Sequence, residues 1–337
     1  MIDLRSDTVT RPTPEMRRAM AEAEVGDDVF GEDPTVRRLE EETAALLGKE
    51  DALYVSSGHM SNQIAVYVSA GSGEELWAHE RSHLVANEQG GTSVLARVLP
   101  RTYADPAGHP PQDLLERWAS GTGDVHRARP ALISLENTLT GLVVPLAEQR
   151  RVAAFARAHG MRVHLDGARL WNAAVDLGVA PAEIAEDADT VSVCFSKGLG
   201  APVGSALAGD ADTIRRARRA RKLLGGGMRQ AGIIAAGALY ALHHNVDRLA
   251  RDHERAARLA EAIAAVPGLG AEARTNMVVL EAPEGRAADL AAAITGHGVG
   301  CVVLGPSHIR LVAHLDVTDS DIDDAGKLIA AAAATLD

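Results

Sequence analysis

The residue best placed for covalent chemistry is Lys197, in Val191-Ser-Val-Cys-Phe-Ser-Lys-Gly-Leu-Gly-Ala-Pro-Val-Gly204. Val191, Val193 and Phe195 read as a buried strand that runs out into a loop of small residues. A buried lysine sheds its proton readily, and the neutral amine is the nucleophile that forms Schiff bases. Taken alone, Lys197 also reads as a strand-end lysine whose head reaches the surface. Met161-Arg-Val-His-Leu-Asp166 ends a second strand in a carboxylate, with Arg169 just beyond it. Asp166 lies 31 residues before Lys197, the length of one helix plus one strand, although it also suits a helix cap. A third strand ends in Glu136-Asn137. Ser57-Gly58-His59 is a small-residue turn opening a helix, where free N–H groups and the positive dipole end favour a phosphate. An ordinary cap by Ser56 or Ser57 reads the same way. Arg229 follows Gly225-Gly-Gly227-Met and suits a phosphate, in its own chain or in a neighbouring subunit. Arg310 alternates with apolar residues on Ile309–Ala313, with His314 just after it. It suits bidentate capture of a carboxylate, or an exposed strand face.

Positioning these residues requires elements that end along one edge. A helix runs from Pro34 to about Leu47, with Asp33 as N-cap and Gly48 as terminator. Strand 51–56 enters the Ser57 turn, and a helix follows to about Ala70. Strands are then expected at 75–79, 94–99, 131–136, 161–165 and 189–195. Helices are expected at 82–89, 111–119 and 147–159, with a short one after Gly167. Strands separated by helices of this length imply a mostly parallel sheet with helices on both faces, and ligands outside the carboxyl ends of the strands. The basic run before Lys222 reads as a solvated helix face. From Val246 the pattern changes to an amphipathic helix, strand Met277–Leu280, helix 286–297, strands 301–304 and Ile309–Ala313, and helix 319–335. The expected organisation is an N-terminal arm (1–13), a large α/β domain (14–245) and a smaller α+β C-terminal domain (246–337).

Bulk properties remove whole classes of function. The chain has 337 residues, a net charge of -12 and only 3% aromatic residues, which argues against nucleic acid as a partner. Cys194 and Cys301 make no disulfide framework and suit a reducing cytoplasm. The N-terminus lacks an apolar leader, and the longest apolar run, Ala231–Leu242, is too short for a bilayer, so no membrane role is expected.

A phosphate cradle, a strand-end carboxylate, an amine nucleophile and a carboxylate-binding arginine together are what pyridoxal phosphate (PLP) chemistry needs. The cofactor aldehyde needs Lys197, and a carboxylate such as Asp166 keeps its ring nitrogen protonated. An amino-acid substrate needs an arginine for its carboxylate.

The motifs Asp3-Leu-Arg-Ser-Asp-Thr-Val-Thr10, Gly26-Asp-Asp-Val-Phe-Gly31, Ser134-Leu-Glu-Asn-Thr138 and His164-Leu-Asp-Gly-Ala-Arg169 occur in order. Ser196-Lys-Gly-Leu-Gly-Ala-Pro-Val-Gly204, Gly225-Gly-Gly-Met-Arg-Gln230 and Arg310-Leu-Val-Ala-His-Leu-Asp316 follow. Over essentially its whole length the chain resembles the low-specificity L-threonine aldolases, PLP enzymes of the aspartate-aminotransferase-like fold type I. The resemblance implies cleavage of threonine or allo-threonine to glycine and acetaldehyde. It implies that Lys197 binds the cofactor covalently, Asp166 pairs with its ring nitrogen and Arg169 contacts its phenolic oxygen. Gly58 and His59 would hold the phosphate through backbone N–H groups, assisted by Arg229 of a partner subunit in a dimer of dimers. His83 would stack on the ring near the substrate hydroxyl, and Ser6 and Arg310 (with Arg169) would hold the substrate carboxylate. His83, His126 or a water held by Glu88 would be the base; no metal is expected in the site. Two positions depart from the family pattern. His59 stands where threonine is usual, which removes a hydroxyl contact to phosphate, and Leu139-Thr140 replaces His-Asn. The alternatives on this scaffold are β-elimination, transamination and glycine hydroxymethyl transfer. A nicotinamide dehydrogenase is disfavoured because neither Gly121-Thr-Gly123 nor Gly225-Gly-Gly227 follows a strand and opens a βαβ unit. A non-catalytic binder has no use for Lys197 with Asp166.

Overall fold

The computed structural model describes residues 1–335. The N-terminal arm carries β1 (Ile2–Asp3) and a 3-10 turn at Asp7–Val9, and leads into α1 (Pro14–Ala21). Next comes α2 (Pro34–Leu46), capped by the Asp33 side chain on Val36 N–H with Pro34 at its first turn, as the sequence predicts. The large unit then alternates β2 (Asp51–Val55), α3 (Gly58–Ser69), β3 (Glu75–His79), α4 (His83–Ala86) and β4 (Leu99–Tyr103). It continues through α5 (Gln112–Ala119), β5 (Pro130–Glu136), α6 (Leu146–Ala158), β6 (Arg162–Gly167), α7 (Leu170–Leu177), α8 (Pro181–Ala185) and β7 (Thr190–Cys194). It ends with β8 (Ser205–Gly209), α9 (Ala211–Leu223) and α10 (Gly232–His244).

Seven strands form one sheet in the order β2-β8-β7-β6-β5-β3-β4. Its pairs are parallel from β7 through β4, and β8 runs antiparallel to both its neighbours. The fold is the α/β, mostly parallel arrangement expected from the alternation. Its middle strands are largely buried, β7 over all of Thr190–Cys194, with one apolar face (Val163, Leu165, Val191, Val193) and one that carries His164, Asp166, Thr190 and Ser192. β5, β6 and β7 therefore end side by side, and Glu136 and Asp166 fall in direct register.

The remainder comprises α11 (Leu249–Ala264), β9 (Gly270–Arg274), β10 (Met277–Glu281), α12 (Ala287–Gly296), β11 (Val299–Gly300), β12 (Val302–Gly305), β13 (His308–Val312) and α13 (Asp319–Ala333). An antiparallel sheet, β12-β13-β10-β9, packs its apolar face against these helices around Leu259, Ile263, Leu280, Leu311 and Ile329.

Four local expectations change. The helix expected at 82–89 stops at Ala86. The backbone turns left-handed at Gln89 (φ 56°) and Gly90 (φ 68°), and this turn carries Glu88 into the interior. The strand expected at 94–99 is a π-helical turn at Thr92–Ala96 closed by left-handed Arg97, so β4 begins only at Leu99. Residues Ser205–Gly209 add a strand that the alternation did not predict, pairing between β2 and β7. Finally, Ile2–Asp3 is a short strand after all, because β11 offers it a parallel partner. Among the described residues, no helix is long and apolar enough to cross a membrane.

Candidate active site

The carboxyl edge of β5–β6–β7 brings together Glu136, Asp166 and, just past β7, Lys197. No side-chain hydrogen bond or ion pair of the Lys197 amine occurs among the described residues, and Lys197 is only half-buried. An amine that is neither paired nor free in bulk water is available for reaction with a ligand carbonyl.

Asp166 is buried and accepts hydrogen bonds from Ala168 N–H (3.0 Å) and Asn62 Nδ2 (2.7 Å). The same Asn62 Nδ2 donates to Glu88 Oε1 at 2.8 Å. Its amide orientation is set from behind by buried His164, whose Nε2 faces Asn62 Oδ1 at 3.2 Å and whose Nδ1 faces Thr190 Oγ1. Burial lowers the proton affinity of His164, so the ring is neutral and donates to the amide oxygen.

Glu88 is the hub of the site. It is fully buried and accepts from Asn62, from Gln63 Nε2 (2.5 Å) and from His83 Nδ1 (2.7 Å). A carboxylate accepts only, so Nδ1 of His83 carries a proton, and in the neutral ring the lone pair is on Nε2. The ligand atoms of His83, Glu88 and Asp166 lie within 4.8 Å of one another. The His83 backbone N–H donates to Glu136 Oε2 at 2.7 Å, which ties this histidine to the end of β5. Burial, and then the neighbouring Asp166, push the Glu136 carboxyl up to about 8. Glu136 therefore retains its proton at neutral pH.

Substrate-side cations come from two sheets. Arg310, on β13, donates from Nη2 to the Arg5 carbonyl (3.1 Å), and its buried Nε has no partner among the described residues. Burial and the nearby Arg169 both lower the proton affinity of Arg310. Two guanidinium groups set this close, one with an unused buried N–H, form a receptor for an anion. Ser6 sits beside them on the arm, with its Oγ accepting from Thr8 N–H and facing Thr8 Oγ1. His314 does not share this face: its Nε2 lies 2.7 Å from the Asp3 carbonyl, so it fastens the arm.

Asp7 was not singled out by sequence. It is fully buried and receives Arg169 Nε (2.8 Å) and Nη2 (2.7 Å), with Asn276 Nδ2 at 3.2 Å. Burial works to raise its proton affinity, but Arg169 outweighs it, with help from Lys197 and Asn276, and holds the carboxyl at about 2. The ordinary carboxyl value is 3.8, so the sign is clear. The pair's stabilisation is present above about pH 4 and is lost as pH falls toward 2. Breaking a buried ion pair from one side costs about 3–5 kcal/mol. Asp7→Asn is expected to lose stability by that order at pH 6. The difference from the wild type should shrink at pH 2–3, as read from urea unfolding.

The phosphate turn is built as a cradle. Ser57 caps α3 through Met60 N–H, and no acceptor within the chain is described for the N–H groups of Gly58 and His59. A Cβ at residue 58 would lie 2.8 Å from Cys194 Sγ, so only glycine lets the turn sit against the end of β7. This cradle, Asp166, the unpaired Lys197 amine and the arginine receptor fit PLP carrying an amino acid.

Two expected residues stay apart from this cluster within one chain. Arg229 is exposed and pairs with Asp27 Oδ2 at 3.2 Å, and His126 lies on an exposed loop where its N–H donates to Asp124.

The profile of the beta-eliminating lyase family matches residues 3–284. The chain belongs to this family. Among its relatives, the probable low-specificity L-threonine aldolase 2 of Arabidopsis thaliana is 43% identical over 334 residues, covering 96% of this chain and 94% of its own. The low specificity L-threonine aldolase of Escherichia coli K12 is 42% identical over 319 residues, 94% of this chain and 95% of the other. The fold of this beta-eliminating lyase family member is shared with solved structures. The Leishmania major threonine aldolase superimposes with a TM-score of 0.84 at 20% identity, covering 98% of both chains. A lysine-to-alanine variant of serine palmitoyltransferase from S. paucimobilis with bound PLP–myriocin aldimine gives 0.78 at 19% identity, covering 99% of this chain and 87% of that one.

Proposed function

We propose that the chain is a PLP-dependent aldolase that cleaves L-threonine and L-allo-threonine to glycine and acetaldehyde. The observation that carries this reading is the His83–Glu88 pair beside Lys197 and Asp166. A histidine fixed with a lone pair on Nε2 is a base for a hydroxyl proton, which aldol cleavage requires.

Bound PLP supplies an electron sink for the α-carbon of the substrate. Lys197 would hold the cofactor through its amine, the group for which a substrate amino group competes. Arg310, with Arg169 and Ser6, holds the substrate carboxylate and so fixes which bond at the α-carbon faces the sink. His83 Nε2 takes the β-hydroxyl proton as the Cα–Cβ bond breaks, acetaldehyde departs, and the α-carbon regains a proton to give glycine. Asp166 supplies the charge opposite the ring nitrogen.

The test is purified enzyme with threonine and allo-threonine, assayed for acetaldehyde and glycine. Ammonia with 2-oxobutyrate in their place would establish β-elimination instead, and a need for folate would establish hydroxymethyl transfer.

We assign the enzyme to the cytoplasm and to a homo-oligomer, a dimer of dimers, with sites shared between subunits. Exposed Phe30, Val94, Val125 and Leu223 support an interface, and Arg229 and His126 stand exposed for use by a second copy. Lys197→Ala and Arg229→Ala chains should each be impaired alone. Mixed oligomers should recover activity, because one hybrid site keeps both residues; no recovery would place Arg229 outside the site.

A further inference from the structure

His59 stands at the first turn of α3, inside the phosphate cradle, where the family pattern has threonine. Its side chain does not fold away from the site. The ring is 44% exposed, and Nε2 lies 3.9 Å from Glu88 Oε2. Glu88 is a fully buried acceptor whose other oxygen holds His83 Nδ1 at 2.7 Å. Two histidines therefore share one carboxylate, one at each oxygen. Neither ring nitrogen has a hydrogen-bond partner among the described residues, and His59 lies in the first turn of α3, where backbone N–H groups face the cradle.

We propose that His59, charged and balanced by Glu88, supplies the cofactor phosphate with a cationic side-chain contact in place of the missing threonine hydroxyl. This makes capture of the phosphate pH-dependent. The inference rests on the PLP reading above.

The physical grounds are three. An imidazolium brings a full positive charge to the phosphate, whereas a threonine hydroxyl donates without a charge of its own. The positive end of α3 opposes a cation at its first turn, so an imidazolium there needs a counter-charge, and Glu88 is within 4 Å. Histidine also changes charge between pH 5 and 8, whereas threonine does not titrate. Other ionisable groups on elements packed around this turn are His83, Asp166, Cys194, Lys197 and Arg221, the last donating to the Tyr54 carbonyl and paired with Asp28. His83 and Asp166 reach His59 only through the network of Glu88 and Asn62, and Cys194 lies beneath Gly58. Lys197 acts on the aldehyde end of the ligand, which PLP and pyridoxal share.

That shared end provides the control. The apo-protein is titrated with PLP and with pyridoxal, followed by absorbance, at pH 6.5 and 8.5, in the wild type, His59→Thr and His59→Gln. The ratio of the two affinities isolates the phosphate contribution. In the wild type the ratio is expected to fall at least about 10-fold between the two pH values, the loss of one charged contact. In both variants it should stay level or rise, because the phosphate itself gains charge with pH. Pyridoxal affinity should be the same in all three proteins, which also reports an intact pocket. A wild-type ratio that changes with pH as the variants' ratios do would overturn the role of His59. Failure of all three proteins to bind either aldehyde would instead overturn the PLP reading.

Discussion

Lys197→Ala is expected to leave a folded protein that no longer holds PLP covalently. Borohydride treatment and peptide mapping should find one modified residue, Lys197, in the wild type and none in the variant. Acetaldehyde release should fall to background. The reason is chemical: Lys197 is the amine at the strand edge that has no hydrogen-bond or ion-pair partner among the described residues, near two carboxyls and a guanidinium that fix the charge around it. A small primary amine added to the variant should restore part of the activity, since an amine and not a lysine side chain is what the reaction needs. Label on a different lysine would overturn the assignment. Folding should be unaffected, because Lys197 makes no side-chain bond that the variant loses.

The second large effect is on proton removal. General-base help is worth about 10²–10⁴-fold, so His83→Ala is expected to lower kcat by that range with PLP still bound. Glu88→Gln should fall nearly as far, for a different reason. An amide in place of Glu88 would present an N–H to one of three donors, Asn62, Gln63 or His83, and would no longer fix the His83 tautomer. The two changes should not multiply in the double variant, because they remove one function. If His83→Ala leaves kcat within about twofold and His126→Ala does not, the base is the exposed loop histidine, lent by another subunit.

Much of this was legible before the structure. Lys197, Asp166 and Glu136 could be found because a parallel sheet puts polar strand ends along one edge, and strand and helix lengths reveal which residues those are. Arg310 was legible from alternation on one strand. Asp7, Asn62, Gln63 and Asn276 were not, although each is buried and functional in position. Asn62 and Gln63 left one signal, two amides in the middle of a buried helix face, but nothing local says that their partners are Glu88, 26 and 25 residues on. Asp7 looked like part of a polar arm, and its partners are 162 and 269 residues away. The turn that buries Glu88 was read as a helix continuing to residue 89, since helical spacing does not reveal where a side chain must be pulled inward.

The arm has a consequence for how the enzyme is made. Ile2 and Asp3 pair with Val299 and Gly300, Leu4 accepts the N–H of Val312, and Arg5 meets Arg310 across a separation of 305 residues. Residues 2–7 thus find their places only once residues 276–312 are present. The central sheet, with Lys197 and Asp166, is complete in sequence by residue 209, yet Asp7 must wait for Asn276 and Ser6 for the strand carrying Arg310. Such distant closures are slow steps. The sheet edge that carries Lys197 and Asp166 can thus form from local segments, whereas the arm that carries Ser6 and Asp7 closes only against residues 276–312.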